Sequence, residues 1–216
     1  MRIKSEGICG FCKNNFSNTT IGKHLQSCTE RVKAYRSEKK PGKIYLLKAG
    51  AGPFWVYFEV DSRNTLKKVD DFLRNLWLDC CGHLSAFKIG EQTYSCDQQE
   101  EFNDESMNFL LHKVISPGMI FSHEYDFGTT THLSLKCISE REGEIKKINI
   151  LARNNPPYFP CHSCKKEPAQ DICSQCLWEE KSMFCAACVK KHKCDEDMFL
   201  PVVNSPRMGM CGYTGE

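Results

Sequence analysis

Seven cysteines and one histidine between positions 161 and 194 stand at the spacing of metal ligands. They read Cys161-x2-Cys164, Cys173-x2-Cys176, Cys185-x2-Cys188 and His192-x-Cys194, with eight residues between each Cys pair and the next. A CxxC knuckle turns both thiolates toward one ion. Two tetrahedral zinc sites need eight soft ligands, and this array supplies them. Sites with four protein ligands have no open position, so they hold structure together and do not activate water. A chain stapled in this way folds as small metal-dependent modules around whatever core it has left.

The other end repeats the theme. Cys9-x2-Cys12 is followed by His24-x3-Cys28, with Phe16 after the second cysteine and Ile21 and Leu25 flanking the histidine. This segment resembles a classical zinc finger, with one residue changed in the central spacing and Cys28 in place of the last histidine. Twelve ligands at four per ion imply about three zinc ions. The opening Met1-Arg2-Ile3-Lys4-Ser5-Glu6 lacks the apolar core of a secretion signal. No apolar run is long enough to span a bilayer. The expectation is a cytoplasmic chain with reduced thiols, in which paired cysteines mean metal rather than disulfides.

Charge is uneven along the chain. Residues 1–48 carry 11 Lys/Arg against 3 Asp/Glu, residues 49–155 carry 11 against 16, and residues 156–216 carry 7 against 8. The basic first segment, with Lys33, Arg36, Lys39 and Lys40 after the finger, is a candidate phosphate contact for nucleic acid. A single finger covers too few base pairs to read sequence alone, so protein docking competes with that reading.

Between the ends the pattern changes. Residues 1–42 read as the finger with a basic helix ended by Pro41-Gly42, residues 43–155 as a central domain, and residues 156–216 as the two-zinc module with an irregular tail. Ile44–Leu47 and Phe54–Val60 are rich in strand formers. Thr65 caps a helix in which Leu66, Val69, Phe72, Leu73, Leu76 and Trp77 recur at helical spacing. Ala86–Ile89 and Gln92–Tyr94 flank a Gly90-Glu91 turn, and strands are expected over 119–125, 132–138 and 145–151. Successive strands around one helix predict an α+β fold with an antiparallel sheet, flanked by zinc-stapled modules. Asp97–Glu105 reads as an acidic loop, and Asn154-Asn155-Pro156-Pro157 as a hinge.

The central domain resembles the plasmid pRiA4b ORF-3-like family. The Thr65–Trp77 helix, His83-Leu84-Ser85-Ala86-Phe87-Lys88-Ile89-Gly90 and Tyr125-Asp126-Phe127-Gly128-x3-His132 carry the likeness. It departs from the family at Ser85, Thr129 and Thr131. The resemblance implies an α+β domain and no settled activity. The C-terminal array resembles MYND and B-box fingers. That likeness implies that Cys161, Cys164, Cys185 and Cys188 share one zinc, that Cys173, Cys176, His192 and Cys194 share the other, and that the partner is a protein.

The functional expectation is a zinc-binding scaffold for protein or nucleic acid. The competing reading is a metal-dependent enzyme centred on His83, Asp126 and His132, since histidines with a carboxylate can make an open metal site. Cys80, Cys81, Cys96, Cys137 and Cys211 read as inert cysteines, and His162 as a bystander beside Cys161.

Overall fold

A computed structural model describes residues 3–35, 41–98 and 104–215. Arg36, Lys39, Lys40 and most of the acidic loop lie outside the described residues. The fold is α+β. The strands β1 (Glu6–Cys9), β2 (Asn15–Ser17), β3 (Lys43–Ala51), β4 (Phe54–Asp61), β5 (Ser85–Ile89), β6 (Gln92–Ser95), β7 (Glu105–Ser106), β8 (Ile120–Tyr125), β9 (Thr131–Glu142) and β10 (Asn149–Asn154) form one sheet. Their order is β2-β1-β10-β4-β3-β9-β8-β5-β6-β7. The only parallel pair in it is β6 with β7.

The β3–β4 pair is buried on both faces. Every residue of β4 is buried, which explains why Phe54–Val60 reads as an unbroken apolar run and not an alternation. Strand parity then divides the layers. Val56, Phe58 and Val60 face a core closed by Leu66, Val69, Leu73, Trp77 and Leu78. These come from α3 (Leu66–Leu73) and the π-helical turn Arg74–Leu78 that continues it. As the sequence predicts, Thr65 caps this helix, its side chain accepting from the Lys68 N–H. Phe159, Ile172 and Met208 join the same core. The expected hinge is therefore a packed crossing: Asn154 Oδ1 accepts from the Trp55 N–H, and Asn154 Nδ2 donates to Asn204 Oδ1.

The opposite face of β4 presents Trp55, Tyr57 and Glu59, and the N-terminal finger covers it. Helices α1 (Ile21–Ser27) and α2 (Thr29–Tyr35) follow β2, and Ile21 and Leu25 are fully buried against Leu46, Trp55 and Tyr57. Each such side chain contributes about 1.5–3 kcal/mol relative to exposure. Helices of seven residues are not stable alone, so this tertiary contact must carry them. The finger hairpin also pairs with the sheet: β1 runs antiparallel to β10. Gly7 makes the approach possible, because a Cβ there would lie 2.1 Å from the Arg153 carbonyl oxygen.

A buried ion network locks this layer. Arg31 donates to Glu59 Oε1 at 2.6 Å, Arg141 donates to both oxygens at 2.9 and 2.8 Å, and the Tyr35 hydroxyl donates to Oε2 at 2.8 Å. Burial works to raise the Glu59 pKa, but hydrogen bonds from Arg141, Arg31 and Tyr35 outweigh it and hold the carboxylate ionised. Glu59→Gln leaves two guanidinium groups facing a neutral amide at a site with no exposure. The expected loss is about 3–5 kcal/mol in denaturant unfolding. A loss under about 1 kcal/mol, the value of a surface pair, would mean that the network is solvated.

The C-terminal segment adds a three-stranded sheet, order β12-β11-β13, from β11 (Asp171–Cys173), β12 (Met183–Phe184) and β13 (Phe199–Pro201). A single helical turn (Ala186–Val189) follows Cys185. No described helix is long and apolar enough to cross a membrane.

Candidate metal centres

The described residues contain four groups of Cys and His side chains that can each hold a metal ion, every ligand atom within 4.8 Å of the others in its group. Three of them contain the twelve residues singled out by spacing. Cys9, Cys12, His24 and Cys28 form the N-terminal group. Cys161, Cys164, Cys185 and Cys188 form a second, and Cys173, Cys176, His192 and Cys194 a third. The pairs of the C-terminal array thus interleave, first with third and second with fourth. The His192-x-Cys194 spacing, short as it is, still brings both side chains to the third group.

The distances fit tetrahedral coordination. With Zn–S near 2.3 Å, two thiolates on one ion stand about 3.8 Å apart. Observed Sγ–Sγ separations are 4.0 Å for Cys9–Cys28, 3.9 Å for Cys164–Cys185 and 3.7 Å for Cys176–Cys194. These are far beyond the roughly 2.05 Å of a disulfide. His24 Nε2 lies 3.3 Å from Cys12 Sγ, and His192 Nε2 lies 3.5 Å from Cys176 Sγ. Aromatic rings set both imidazoles: Phe16 stacks on His24 at 3.9 Å, and Phe184 lies 4.5 Å from His192. His162 is outside the groups, its Nδ1 accepting from the Ser182 and Met183 N–H groups.

The thiol chemistry agrees. Burial works to raise the Cys161 pKa, yet N–H groups of Cys164, Cys185 and Ser163 and the Cys164 thiol bring it down to about 6. In the same group the Cys185 thiol, with some burial, pushes Cys188 up to about 12. Without a cation the first negative charge suppresses the next, and only a bound cation lets all four thiols ionise together.

Backbone strain marks the same places. The non-glycine residues with left-handed φ among those described are Lys13, Asp126, Lys165 and Cys211. Lys13 and Lys165 directly follow Cys12 and Cys164, where each knuckle must turn back. Cys211 belongs to the fourth group, and Asp126 touches it.

That fourth group is Cys80, Cys81, His83 and Cys211. It corrects the reading of Cys80, Cys81 and Cys211 as isolated inert thiols. Cys81 Sγ lies 3.7 Å from Cys80 Sγ and 3.6 Å from Cys211 Sγ, and His83 Nε2 lies 2.9 Å from Cys81 Sγ and 3.2 Å from Cys211 Sγ. Tyr125 positions the loop. Its hydroxyl donates to Asp79 Oδ1 at 2.9 Å and accepts from the His83 and Cys80 N–H groups. Arg74 Nη2 donates to the His83 carbonyl at 2.6 Å and to Ser85 Oγ at 2.7 Å. Cys96 and Cys137 stay outside all four groups.

The triad of His83, Asp126 and His132 does not assemble. His83 Nε2 stands 3.6 Å from Asp126 Oδ2. Thr131 is buried on the core side, where its hydroxyl accepts from Arg207, the partner of Asp126. His132, the next residue of β9, therefore points to the opposite face, where it is exposed and pairs with Glu124 at 3.3 Å. Two further central histidines are structural. His112 Nδ1 bonds the Ser62 carbonyl at 3.0 Å. His123 is fully buried, and its Nε2–H donates to Asp70 Oδ1 at 2.8 Å. Burial pushes the His123 pKa down, against the hydrogen bond to Asp70, so the ring is neutral in the fold. Burial works to raise the Asp70 pKa, but His123, Arg74 and Ser85 more than offset it.

No family model matches this chain, and no curated protein matches it. A solved structure of a protein of unknown function from Methanosarcina mazei Go1 is similar, at 14% identity and a TM-score of 0.42, over 51% of this chain and 68% of that one.

The neutral His123 gives a signed pH dependence. An unfolded histidine titrates near pH 6.5. Below that, the unfolded chain binds a proton that the folded chain refuses, so the stability from neutral His123 is lost as pH falls through about 6.5. The stability advantage of the wild-type chain over His123→Asn should therefore shrink between pH 7.5 and pH 5.5 in urea unfolding. A constant or growing advantage would mean that His123 is charged in the fold.

Proposed function

We propose that this chain is a zinc-binding protein whose metal-stapled ends present surfaces to a protein partner, with the α+β sheet as the rigid frame between them. The observation that carries the reading is the poverty of the C-terminal module's own core. Its separate cluster buries only Cys173, Cys176 and Phe184, and two of those are ligands. Such a module needs a metal to fold. On the loop between Cys176 and Cys185 it leaves Trp178 80% exposed. An exposed Trp on a rigid module is a strong candidate anchor for an interface. Four-ligand sites, with no open coordination position, favour a staple over a Lewis acid.

The nucleic-acid alternative is weaker for the described residues. Arg31 is committed to Glu59, and Lys33 pairs with Glu30 at 2.8 Å. Lys13 and Lys23 stay exposed on the finger, and the rest of the claim on the basic segment 1–48 lies with residues 36–40. If phosphate contacts matter, binding to DNA or RNA should fall steeply with salt, and alanine at Lys33, Arg36, Lys39 and Lys40 should flatten that slope. No binding at low salt leaves protein docking.

Two measurements test the main reading. Full chelation should open the C-terminal module and the finger around their ligands, seen as new protease cuts within residues 161–194 and 9–28, while Ile21 and Leu25 stay packed on the sheet and its far-UV signal persists. Trp178→Ala should leave zinc content and melting temperature unchanged and abolish retention of the partner that the wild-type chain captures. Retention unaffected by the substitution would move the interface elsewhere, and an intact C-terminal module after chelation would remove the zinc reading itself.

A further inference from the structure

The fourth group differs from the other three in what holds it. The N-terminal and C-terminal groups sit in modules that lack cores of their own. Cys80, Cys81 and His83 instead follow the π-helical turn, whose Trp77 and Leu78 are fully buried in the main core. The tail that supplies Cys211 is anchored without any ion. Ser205 Oγ donates to the Trp77 carbonyl at 2.6 Å, Arg207 donates to the Thr129 carbonyl at 2.6 Å and pairs with Asp126, and Met208 and Tyr213 are buried. Both sides of the group are therefore in place before a metal arrives.

The group is also open to solvent. Cys81 and Cys211 are both exposed, whereas no residue of the other three groups is. Cys211 is held at φ 47 and Asp126 at φ 65, conformations that persist where surrounding contacts enforce them. Three thiolates and an imidazole around a divalent ion carry one net negative charge. Arg207, with no exposure, lies behind it with Nη2 3.7 Å from Cys80 Sγ and shares its charge between that sulfur and Asp126. Three sulfurs and a nitrogen select a thiophilic ion of the zinc type over magnesium or calcium.

We infer that Cys80, Cys81, His83 and Cys211 form an exchangeable site for one zinc-type divalent ion, filled and emptied on a folded chain. It goes beyond the scaffold reading, whose zinc ions are part of the fold. Occupancy of this site follows the available metal, because its release costs no unfolding. The half-exposed thiolates give a chelator or a competing metal direct access to the ion.

The test uses the full chain saturated with zinc and then freed of unbound metal by a brief desalting step. Zinc content should be four equivalents, one per group. Under a chromophoric chelator one equivalent should leave at least about ten-fold faster than the other three, with near-UV and far-UV signals unchanged during that phase. Cys211→Ser should hold three equivalents, lose the fast phase and keep the wild-type melting temperature. Cys211→His, which keeps four ligands, should retain the fast phase. The proposal is overturned if wild-type chain holds only three equivalents, if all equivalents leave in one phase with loss of structure, or if Cys211→Ser fails to fold. Survival of the slow phase in Cys211→Ser separates a failure here from a failure of the zinc reading at the chain ends.

Discussion

The double-sided burial of the β3–β4 pair is the constraint on which the rest depends. A strand with apolar side chains on both faces cannot sit on a surface. One face needs α3 and the C-terminal segment; the other needs the finger. The finger is thus a structural layer of the protein and not an arm on a tether. Glu59 makes the point sharply. It occupies a fully buried position in β4, where an apolar side chain would be the default, and it is tolerable there only because Arg31, Arg141 and Tyr35 satisfy both oxygens. The charge therefore selects one placement of α2 on the sheet.

Metal ligation and burial divide the labour according to size. Where the local core is small, as around Cys173, Cys176 and Phe184, an ion held by the ligand group would replace the apolar area that a short segment cannot bury. Where the core is large, around Trp77 and Tyr125, a metal group has no such task. The fourth group is therefore informative: a part of the fold that does not need a cross-link holds ligand-forming geometry in left-handed backbone at Cys211.

Much of this was legible in the sequence, and the limits are physical. Three of the groups announce themselves because their ligands come in CxxC knuckles, a local geometry with a fixed spacing. The fourth joins Cys81 to Cys211 across 130 residues, and its adjacent Cys80-Cys81 is not a knuckle, so only the folded tail reveals it. The capped helix at Leu66 and the hairpin at Gly90-Glu91 follow from local pattern. The docking of β1 on β10 does not, because its determinants are single residues: Gly7 for the approach and Arg31 for the ion network. His83, Asp126 and His132 share family-like stretches, which suggested a common site. The period of two along β9 puts His132 and Thr131 on opposite faces, and one residue of parity is enough to separate the triad.

Two buried arginines play matching parts in holding the satellites. Arg31 brings α2 to Glu59 on one face, and Arg207 brings the C-terminal tail to Asp126 near the edge of the other. An apolar contact of the same area is non-directional and would permit sliding. A planar guanidinium fixes direction as well as distance: Arg31 and Arg207 each spread their two terminal nitrogens over a carboxylate and a backbone carbonyl. That directionality matters for the metal groups. Cys28 lies three residues before Arg31, and Cys211 four residues after Arg207, so each arginine fixes the chain within about a turn of a ligand. At Arg207 the ion pair sets the fourth group's geometry in advance, whereas Arg31 fixes only the Cys28 end of the finger's group, whose other ligands a bound ion would have to gather.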